Sequence, residues 1–390
     1  MKNISIKFKV LSGVLACLIA GTIVVIMTLH FSYKSVIDDL ALSAVVSSRH
    51  AFNNLKQNDT DKLSATLQVL LEDSKYQEAF INGDKAALYN LALPLFTGLK
   101  ADFGITHWYF LNNSKDGTCF LRVHNRAKNG DKITRFTYQN SIKSGSFASG
   151  IELGKTAFAL RVVHPYRING KIAGYMELGE EIDHFFDIMK KETGNEYGLL
   201  VEKKYLDKSK WASVRKTKNL TDNWDEFSSK VLINSTTPDE QLLKYNGKIT
   251  DVDDEGVVLE EIGKNGKNYV RGIFPLYDAG DRKVGAVFVL QDVTDIYTRI
   301  MAAQTQVVVT VLIIMVLISL IIIFMTNSLI FKRLEHITVV ATKVVGGDFE
   351  SKIHVSSNDE IGRFESLFEK FRVVFVNTLK EIDESSEHKE

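Results

Sequence analysis

Two apolar runs without a charged side chain limit what this chain can fold into more than any other feature of its sequence. Residues 10–33 and 300–331 contain no Asp, Glu, Lys or Arg. A helix needs about 20 apolar residues to cross a bilayer, so the runs predict transmembrane helices at 10–31 and 304–327. A cleaved signal peptide is the alternative for the first run, but the apolar core of a signal peptide is shorter, at about 7–15 residues.

The charges beside the two runs predict their orientation. Three lysines among the first nine residues precede the first run, and Lys332 and Arg333 follow the second. An excess of Lys and Arg marks the cytoplasmic side of a span. Both termini are therefore predicted to be cytoplasmic and residues 32–300 to be exported. This is the layout of a two-pass protein of the cytoplasmic (inner) membrane, in contact with membrane lipid.

Composition and motifs exclude several classes of protein. The 390 residues include 48 Lys and Arg against 48 Asp and Glu, and this zero net charge gives no electrostatic case for nucleic-acid binding. No Walker loop, Gly-x-Ser-x-Gly, His-Glu-x-x-His or Cys-x-x-Cys motif is present, so neither an enzyme nor a cofactor is predicted. Cys17 lies in the first predicted span and Cys119 in the exported region, so no disulfide is expected. Cys119 is expected to be a buried small hydrophobe.

The exported region begins with helical patterns and continues with strand patterns. Residues 35–71 lack Gly and Pro and predict one long helix or two. Another helix is expected from Asp84, and Pro94 should end or kink it near Leu93 before it reaches Leu99. Aromatic and β-branched runs separated by turn residues predict one hairpin formed by 107–111 and 118–124 and another formed by 157–164 and 171–178. A final helix is expected at 180–191.

A weak internal repeat indicates that the exported region is duplicated. Arg161-x3-Pro165 is followed by Gly174, and Arg271-x3-Pro275 is followed by a similar glycine. Each proline is expected to end a strand just before a hairpin, where a missing N–H is tolerated. We predict two α+β modules on a long helix, a distal one at about 85–195 and a proximal one at about 196–298. A chance similarity between two hairpins is the alternative.

This arrangement resembles the double Cache sensory domain of bacterial chemoreceptors and sensor kinases over residues 32–300. The resemblance implies an α+β fold with tandem PAS-like modules and a pocket for small molecules, often amino acids or organic acids. The motifs that carry it are His107-Trp108-Tyr109-Phe110, Phe120-Leu121-Arg122-Val123-His124, Gly130-Asp131, Gly150-Ile151-Glu152-Leu153-Gly154 and Arg161-Val162-Val163-His164-Pro165.

The distal module is predicted to bind a small anionic or zwitterionic ligand, such as an amino acid or organic acid. Arg122 and Arg161 are the leading carboxylate partners, because a guanidinium group bonds a carboxylate with two parallel N–H groups. Arg122 is ranked first, since Arg161 has the counterpart Arg271 in the repeat. The other candidates are Trp108, Tyr109, His124, Asp131, Arg135 and Glu152. A structural ion-pair network is the alternative for these charges, and no histidine spacing predicts a metal site.

After the second apolar run, an apolar seam with 4-3-4-3 spacing is followed by a glycine-containing connector and by the motif Asp359-Glu360-Ile361-Gly362; the seam residues are Ile330, Leu334, Ile337, Ala341 and Val344. With this pattern, residues 328–383 resemble a HAMP domain, a parallel four-helix bundle formed by two chains. The resemblance implies a homodimer and a role in signal relay, while a generic juxtamembrane coiled coil is the alternative. The family often has a proline after the second span; its absence here predicts a more continuous helix at that junction. The predicted relay residues are Leu334, Ile337, Gly347, Asp359, Glu360, Ile361, Gly362, Phe364 and Phe371.

Together the resemblances imply a transmembrane signal receptor that acts without catalysis. Chemotaxis is the expected setting, and the input portion of a sensor kinase or cyclase system is the alternative. Only the acidic residues 384–390 follow the HAMP-like segment. The sequence therefore predicts either an input and relay protein that acts on a cytoplasmic signalling partner or output domain, or a shortened receptor. Other classes left open are a non-signalling, membrane-anchored binding or scaffold protein and a membrane-bound exported enzyme.

Overall fold

A computed structural model of the protein describes residues 6–114, 117–154 and 157–387, with the side chains of 6 and 383–387 excepted. The chain forms two compact units. One is Lys34–Thr298, and the other combines Met1–Tyr33 with Arg299–Glu390. The α+β fold predicted from the sequence is confirmed.

Helices precede, separate and follow the strands along the chain. The helices are α1 (Ile6–Leu71), α2 (Ser74–Ile81), α3 (Lys85–Phe103), α4 (Phe136–Ser144), α5 (Asp183–Thr193), α6 (Lys208–Thr217), α7 (Thr294–Met325), α8 (Lys332–Val345) and α9 (Glu360–Glu387). The strands are β1 (His107–Asn112), β2 (Cys119–Arg122), β3 (Ala148–Leu153), β4 (Phe158–Ile168), β5 (Lys171–Glu181), β6 (Glu196–Glu202), β7 (Lys230–Ser235), β8 (Val257–Lys264), β9 (Lys267–Tyr277) and β10 (Lys283–Asp292). Short 3₁₀ turns occur at Lys203–Tyr205, Glu240–Leu243 and Ile249–Asp251.

The strands form two antiparallel sheets with the same topology. The distal sheet has the order β2-β1-β5-β4-β3, and the proximal sheet has the order β7-β6-β10-β9-β8. Each strand of the distal sheet has the same place in its sheet as the strand numbered five higher has in the proximal sheet. The duplication predicted from the Arg-x3-Pro repeat is therefore confirmed.

The turn between β4 and β5 explains why the sequence forms a hairpin there. Asn169 and Gly170 both have positive φ angles, of 52° and 75°. A two-residue hairpin loop in which both residues have positive φ matches the twist of the strands, and Asn-Gly is its favoured sequence. The predicted hairpin at this turn is confirmed, although its strands are longer than expected.

The two repeat prolines lie within strands rather than at their ends, which corrects the prediction. Pro165 pairs with Tyr175 in β5, and Pro275 pairs with Ala286 in β10. On the other side of β4, the pairing with β3 reaches only to Val163, so Pro165 has no partner on that side. Proline is tolerated in a strand where one side has no partner, since it lacks an N–H to donate.

Pro94 was predicted to end or kink its helix, and the first of these two outcomes is corrected. Helix α3 runs through Pro94 without ending and stops at Gly104, which has a left-handed φ of 70°. Proline inside a helix costs about 3 kcal/mol. Burial of Leu88, Ala92 and Phe96 on one face of the helix offsets this cost.

The main core lies between the helices and one face of each sheet. Leu63 and Leu67 of α1 are completely buried in it. Phe52 of the same helix packs against Phe185 of α5 at 5.6 Å and against Phe274 of β9 at 5.9 Å between ring centroids. Helix α1 is therefore packed against elements of both modules.

The second unit contains the two apolar segments. Helices α1 and α7 are long and apolar enough to cross a membrane, and the predicted spans begin within them. Gln304 Nε2 donates to the carbonyl of Leu29 at 2.9 Å, and Lys7 Nζ donates to Asn327 Oδ1 at 2.8 Å. The two segments are therefore antiparallel. From α7 the chain stays helical through a π-helical segment (Thr326–Phe331) into α8, as the missing proline predicted.

Helices α8 and α9 run parallel to each other. Near the start of both helices, Arg333 Nε lies 2.9 Å from Glu365 Oε1. Farther along, Arg372 Nη1 donates to the carbonyl of Phe349 at 2.8 Å. Ile337 of the predicted seam is buried together with other apolar residues of α8 and the connector, whereas Leu334 is half-buried.

The Asp-Glu-Ile-Gly motif forms the start of α9. Asp359 Oδ1 accepts a hydrogen bond from the backbone N–H of Gly362 at 2.8 Å, which identifies Asp359 as the capping residue. A Cβ atom on Gly362 would collide with the carbonyl oxygen of Ser357, so this position requires glycine. Gly347, with a φ of 97°, follows the end of α8, and Glu360 and Ile361 form the first turn of α9.

Candidate ligand site on the distal sheet

Tyr109 lies at the centre of a polar surface on one face of the distal sheet. In the register of the sheet it is opposite Arg122 of β2 on one side and Glu177 of β5 on the other. Directly opposed residues of antiparallel strands point to the same face. The strand register therefore brings an aromatic ring, a cation and a carboxylate together.

Three guanidinium groups surround the ring of Tyr109. Their carbon atoms lie 4.6 Å (Arg135), 5.3 Å (Arg122) and 5.5 Å (Arg161) from its centroid. Arg135 reaches the ring from the residue before α4, and Arg161 from β4. A cation within about 6 Å of an aromatic face is attracted by the ring quadrupole. Three of the predicted ligand-binding arginines are thus gathered at one aromatic side chain.

Two of these arginines share a single buried carboxylate. Arg161 Nη1 lies 2.5 Å from Glu177 Oε1, and Arg135 Nη2 lies 2.6 Å from Glu177 Oε2. The Glu177 side chain has no exposed surface. Burial alone would raise its pKa, but the two guanidinium groups lower the pKa below its usual value. Glu177 is therefore ionised at neutral pH, with one negative charge between two positive ones.

The third arginine is held by an exposed acid. Arg122 forms two hydrogen bonds with Asp131, of 2.5 Å and 2.6 Å, and one of 2.7 Å with the carbonyl of Lys128. The hydrogen bonds from Arg122 lower the pKa of Asp131. The Arg122 side chain is only 8% exposed, whereas that of Asp131 is 55% exposed. The ion pair therefore joins a fixed cation to a carboxylate that faces solvent.

Two histidines close one side of the surface. The His124 ring lies 4.7 Å from the Tyr109 ring and 4.8 Å from that of His107. Burial, with smaller contributions from nearby charges, lowers the pKa of His124 to about 4 and that of His107 to about 2. Both rings are therefore neutral at pH 7. His124 Nδ1 accepts the backbone N–H of Trp108 at 3.3 Å.

Glu152, another candidate predicted from the sequence, lies on β3 and on the same side of the sheet. Its Oε1 accepts the backbone N–H of Thr137 at 2.7 Å. Burial raises the pKa of Glu152, and the hydrogen bond from Thr137 opposes this only in part. Glu152 anchors the start of α4, which holds Arg135 near the ring.

Trp108 does not belong to this surface. Its ring is completely buried in the main core and packs 5.6 Å from the rings of Tyr76 and Phe110. Neighbouring residues of a strand point to opposite faces, so Trp108 and Tyr109 cannot both line one site. Its predicted role as a ligand wall is replaced by a role in the core.

Glu177, like His107, belongs to this surface but is not among the candidates predicted from the sequence. It alternates with Tyr175 and Gly179 in β5, and no motif marks it. A glutamate within the apolar and small stretch 172–179 was the available signal, because a buried acid requires a partner. Cys119, also buried near this surface, has a pKa raised by burial to about 11, as expected for an inert thiol.

Among the described residues, the proximal module has different side chains at the positions equivalent to the Tyr109 surface. In β10, Phe288 stands opposite Gly198 of β6, where the distal sheet has Glu177 opposite Tyr109. Arg271, the counterpart of Arg161, donates instead to backbone carbonyls, including that of Glu260 at 2.9 Å. The charged surface therefore belongs to the distal copy of the repeat.

The balance of charge on this surface favours an anion. Three guanidinium groups face the carboxylates of Glu177 and Asp131, and the pKa of the third acid, Glu152, is raised. Of the two ionised acids, only Asp131 is substantially exposed. A carboxylate from solution can therefore approach Arg122 where Asp131 now binds.

The chain is similar to known sensory domains. The family model described as the double sensory domain of two-component sensor kinase (dCache_3) matches residues 47–297. The ligand-binding domain of the Campylobacter jejuni chemoreceptor Tlp3 in complex with L-valine is similar with a TM-score of 0.39 and 12% identity, over 68% of this chain and 96% of that chain. The sensor domain of the V. cholerae histidine kinase DctB gives a TM-score of 0.39 and 11% identity, over 67% of this chain and 98% of that chain.

A solved structure named methyl-accepting chemotaxis protein X is also similar, with a TM-score of 0.35 and 14% identity, over 67% of this chain and 99% of that chain. No curated protein sequence matches the chain. The family model covers more than half of the chain, and the matched residues contain both five-stranded sheets. The chain belongs to the family of double sensory domains of two-component sensor kinases.

Proposed function

We propose that this protein is a transmembrane signal receptor that binds a small anionic or zwitterionic carboxylate at the Tyr109 surface of its distal module. The observation that carries the proposal is the excess of guanidinium groups over ionised carboxylates on that surface, with Arg122 held only by an exposed acid. Amino acids and organic acids are the ligand class. The ligand is bound and released without chemical change.

The membrane layout supports a signalling role for this binding. In this proposal both termini are cytoplasmic, as the lysines and arginines beside the two apolar helices favour, and the sensory domain lies on the outer side of the cytoplasmic membrane. Helix α1 carries the first apolar segment, and its Asp59–Leu71 end packs on the distal module. A ligand changes such a system only if it binds two conformations with different affinities.

The cytoplasmic segment supports a dimeric relay. Along α9, Phe364 is 47% exposed and Phe371 is 64% exposed. A helix with an exposed apolar stripe requires a partner, and a second copy of the α8 and α9 pair would give a parallel four-helix bundle of the HAMP type. We assign the protein to chemotaxis, with a cytoplasmic signalling partner; the family description favours sensor-kinase input as the second candidate.

Thermal-shift measurements on the full chain in detergent micelles test the binding proposal. Amino acids and organic acids are screened for a rise in the unfolding temperature, and the bound compound is then recovered and checked for chemical change. Arg122→Ala should abolish the shift, whereas the matched control Arg126→Ala should preserve it, because the Arg126 guanidinium stacks on Tyr89 instead of Tyr109. If no carboxylate raises the unfolding temperature, or Arg122→Ala leaves the shift intact, the proposal fails. Recovery of a converted compound would indicate an enzyme.

A further inference from the structure

A second cluster of polar side chains lies away from the Tyr109 surface, where α1 meets the end of the distal sheet. Asp59 comes from α1, Glu180 from β5 and His184 from α5. One potential metal-ligating atom of each side chain lies within 4.8 Å of the others. Glu180 and His184 are neighbours in the sequence, but Asp59 lies 125 positions before His184, so no local spacing indicates the cluster.

The histidine of this cluster is oriented as metal-binding histidines are. His184 Nδ1 lies 2.9 Å from the carbonyl oxygen of Glu181, so Nδ1–H donates to the backbone. His184 Nε2 faces Asp59 Oδ2 at 3.0 Å. A backbone carbonyl that accepts the other ring N–H fixes the tautomer and the direction of the ligating nitrogen in many metal sites.

The buried carboxylate has one oxygen without a partner. Glu180 has no exposed surface, and its Oε1 has no hydrogen-bond partner among the described residues. Its other oxygen, Oε2, accepts Lys62 Nζ at 2.8 Å. A buried, unpartnered carboxylate oxygen is unfavourable unless a proton or a cation approaches it. The Asp59 carboxylate is its neighbour.

Lys62 leaves one side of each carboxylate available. Its ammonium group lies 3.1 Å from Asp59 Oδ1 and also approaches the carbonyl of Phe103 at 3.4 Å. The ammonium therefore uses Asp59 Oδ1 and Glu180 Oε2. On the side of His184, Glu180 Oε1 has no partner within the described part of the chain, and Asp59 Oδ2 pairs with His184 Nε2 at 3.0 Å. A metal ion bound between these three atoms would take the place of the proton that Asp59 and His184 share, and that proton would be released to solvent.

We propose that Asp59, Glu180 and His184 bind a first-row divalent metal ion such as Zn²⁺, through Oδ2, Oε1 and Nε2. One imidazole and two carboxylates suit zinc, with water in the fourth position, whereas Ca²⁺ and Mg²⁺ prefer oxygen ligands alone. The His184 side chain is 42% exposed and the Asp59 side chain 17% exposed, so an ion can enter from solvent. The bound ion would join α1, β5 and α5 at one point.

Zinc titration of the full chain tests this assignment. Untagged protein in detergent micelles is titrated with ZnCl₂ in a calorimeter, and its zinc content is measured after gel filtration. We expect one zinc ion per chain, no heat from CaCl₂, and a rise in unfolding temperature with zinc, since an ion that binds only the folded state stabilises it. Asp59→Asn and His184→Gln should each weaken zinc affinity by at least about tenfold.

His164→Gln is the matched control. His164 lies in β4, and its ring packs on Phe147 at 5.0 Å, outside the cluster. Zinc affinity equal to that of the wild type is expected for this variant. Circular dichroism without zinc identifies a variant that fails to fold. If His184→Gln does not fold, zinc binding is judged from Asp59→Asn, which preserves the shape of the side chain. Zinc bound at less than one ion per chain, or equally well by the wild type and a folded Asp59→Asn variant, would overturn the assignment.

Discussion

Arg122 and Asp131 form a two-bond ion pair in which the arginine is nearly buried and the aspartate is half-exposed. Such a pair differs from a fully buried one, because the acid can leave the arginine and be hydrated. A carboxylate ligand that binds Arg122 has to replace Asp131 or bind beside it. In the proposed receptor, this pair is therefore the contact through which ligand binding would change the distal module.

Replacing Asp131 with asparagine should strengthen ligand binding. The variant removes the internal carboxylate that competes for Arg122 and preserves the size of the side chain. In a thermal-shift titration, the variant should reach half of its maximal shift at a lower concentration of the stabilising carboxylate than the wild type does. Asp102→Asn, on an exposed position of α3, is the control. A weaker response of Asp131→Asn would show that Asp131 binds the ligand itself.

Glu177→Gln should destabilise the sensory domain strongly. The change leaves Arg135 and Arg161 without their shared carboxylate in a buried place. Removing one partner of a buried ion pair costs about 3–5 kcal/mol. Chemical unfolding followed by tryptophan fluorescence measures the loss, and exposed Glu192→Gln is the control. A free energy of unfolding equal to that of the wild type would contradict the described ion pairs.

Stability should fall in mild acid because of the buried histidines. The pKa of His124 is lowered from 6.5 to about 4 in the folded chain. Below pH 6.5 the unfolded state takes up a proton that the folded state does not, so the free energy of unfolding decreases as pH falls from about 6.5 to about 4. The contribution is on the order of 1–3 kcal/mol. It is absent above pH 7.

His124→Asn should reduce this dependence on pH. Asparagine has an oxygen that can replace Nδ1 as the acceptor for the N–H of Trp108, but it has no group that titrates in this range. Unfolding temperatures of both proteins are compared between pH 7.5 and pH 4.5. The difference in unfolding temperature between the wild type and the variant should narrow or reverse towards low pH. If the two plots of unfolding temperature against pH are parallel, His124 is not the titrating group.

Gly362→Ala should disrupt the start of α9. A methyl group there would collide with the carbonyl of Ser357, and crowding of this kind costs about 1–3 kcal/mol. Gly346→Ala is the matched control, because the nearest atom to a Cβ there is 3.4 Å away. Limited proteolysis of the connector 346–359 is expected to accelerate only in Gly362→Ala. Equal cleavage of both variants would contradict the close contact.

Phe371→Glu should dissociate the proposed dimer. The side chain is 64% exposed on α9, and a charge at the centre of an apolar stripe opposes association. The molar mass in detergent micelles, measured by light scattering, should fall from that of two chains to that of one. Lys370→Glu changes the neighbouring exposed residue and should preserve the mass. A wild-type chain that is already monomeric would contradict the proposed bundle.

The parts of the fold that could be predicted from the sequence are those that local residue patterns determine. The apolar runs, the Asn169-Gly170 hairpin and the duplicated modules follow from periodicity and turn chemistry, which act over a few residues. The three arginines around Tyr109 were predicted as candidates because each lies near a recognisable motif. These features were predictable because they depend on neighbouring residues alone.

The rest depends on contacts between distant residues. Glu177 meets Tyr109 only through the register of β1 and β5, and Asp59 meets His184 across 125 positions. Strand alternation turns Trp108 and Tyr109 to opposite faces, but which of them enters the main core depends on which face of β1 the helices cover. Pro94 remains helical because of packing that its own sequence context does not reveal.

Calorimetric titration tests the central claim most directly. The carboxylate that raises the unfolding temperature most is titrated into the full chain and into the Arg122→Ala variant under the same conditions. The account predicts saturable binding with one site per chain for the wild type and no measurable heat of binding for the variant. Equal affinity of both proteins for the carboxylate would contradict the claim that the Tyr109 surface is the sensory site.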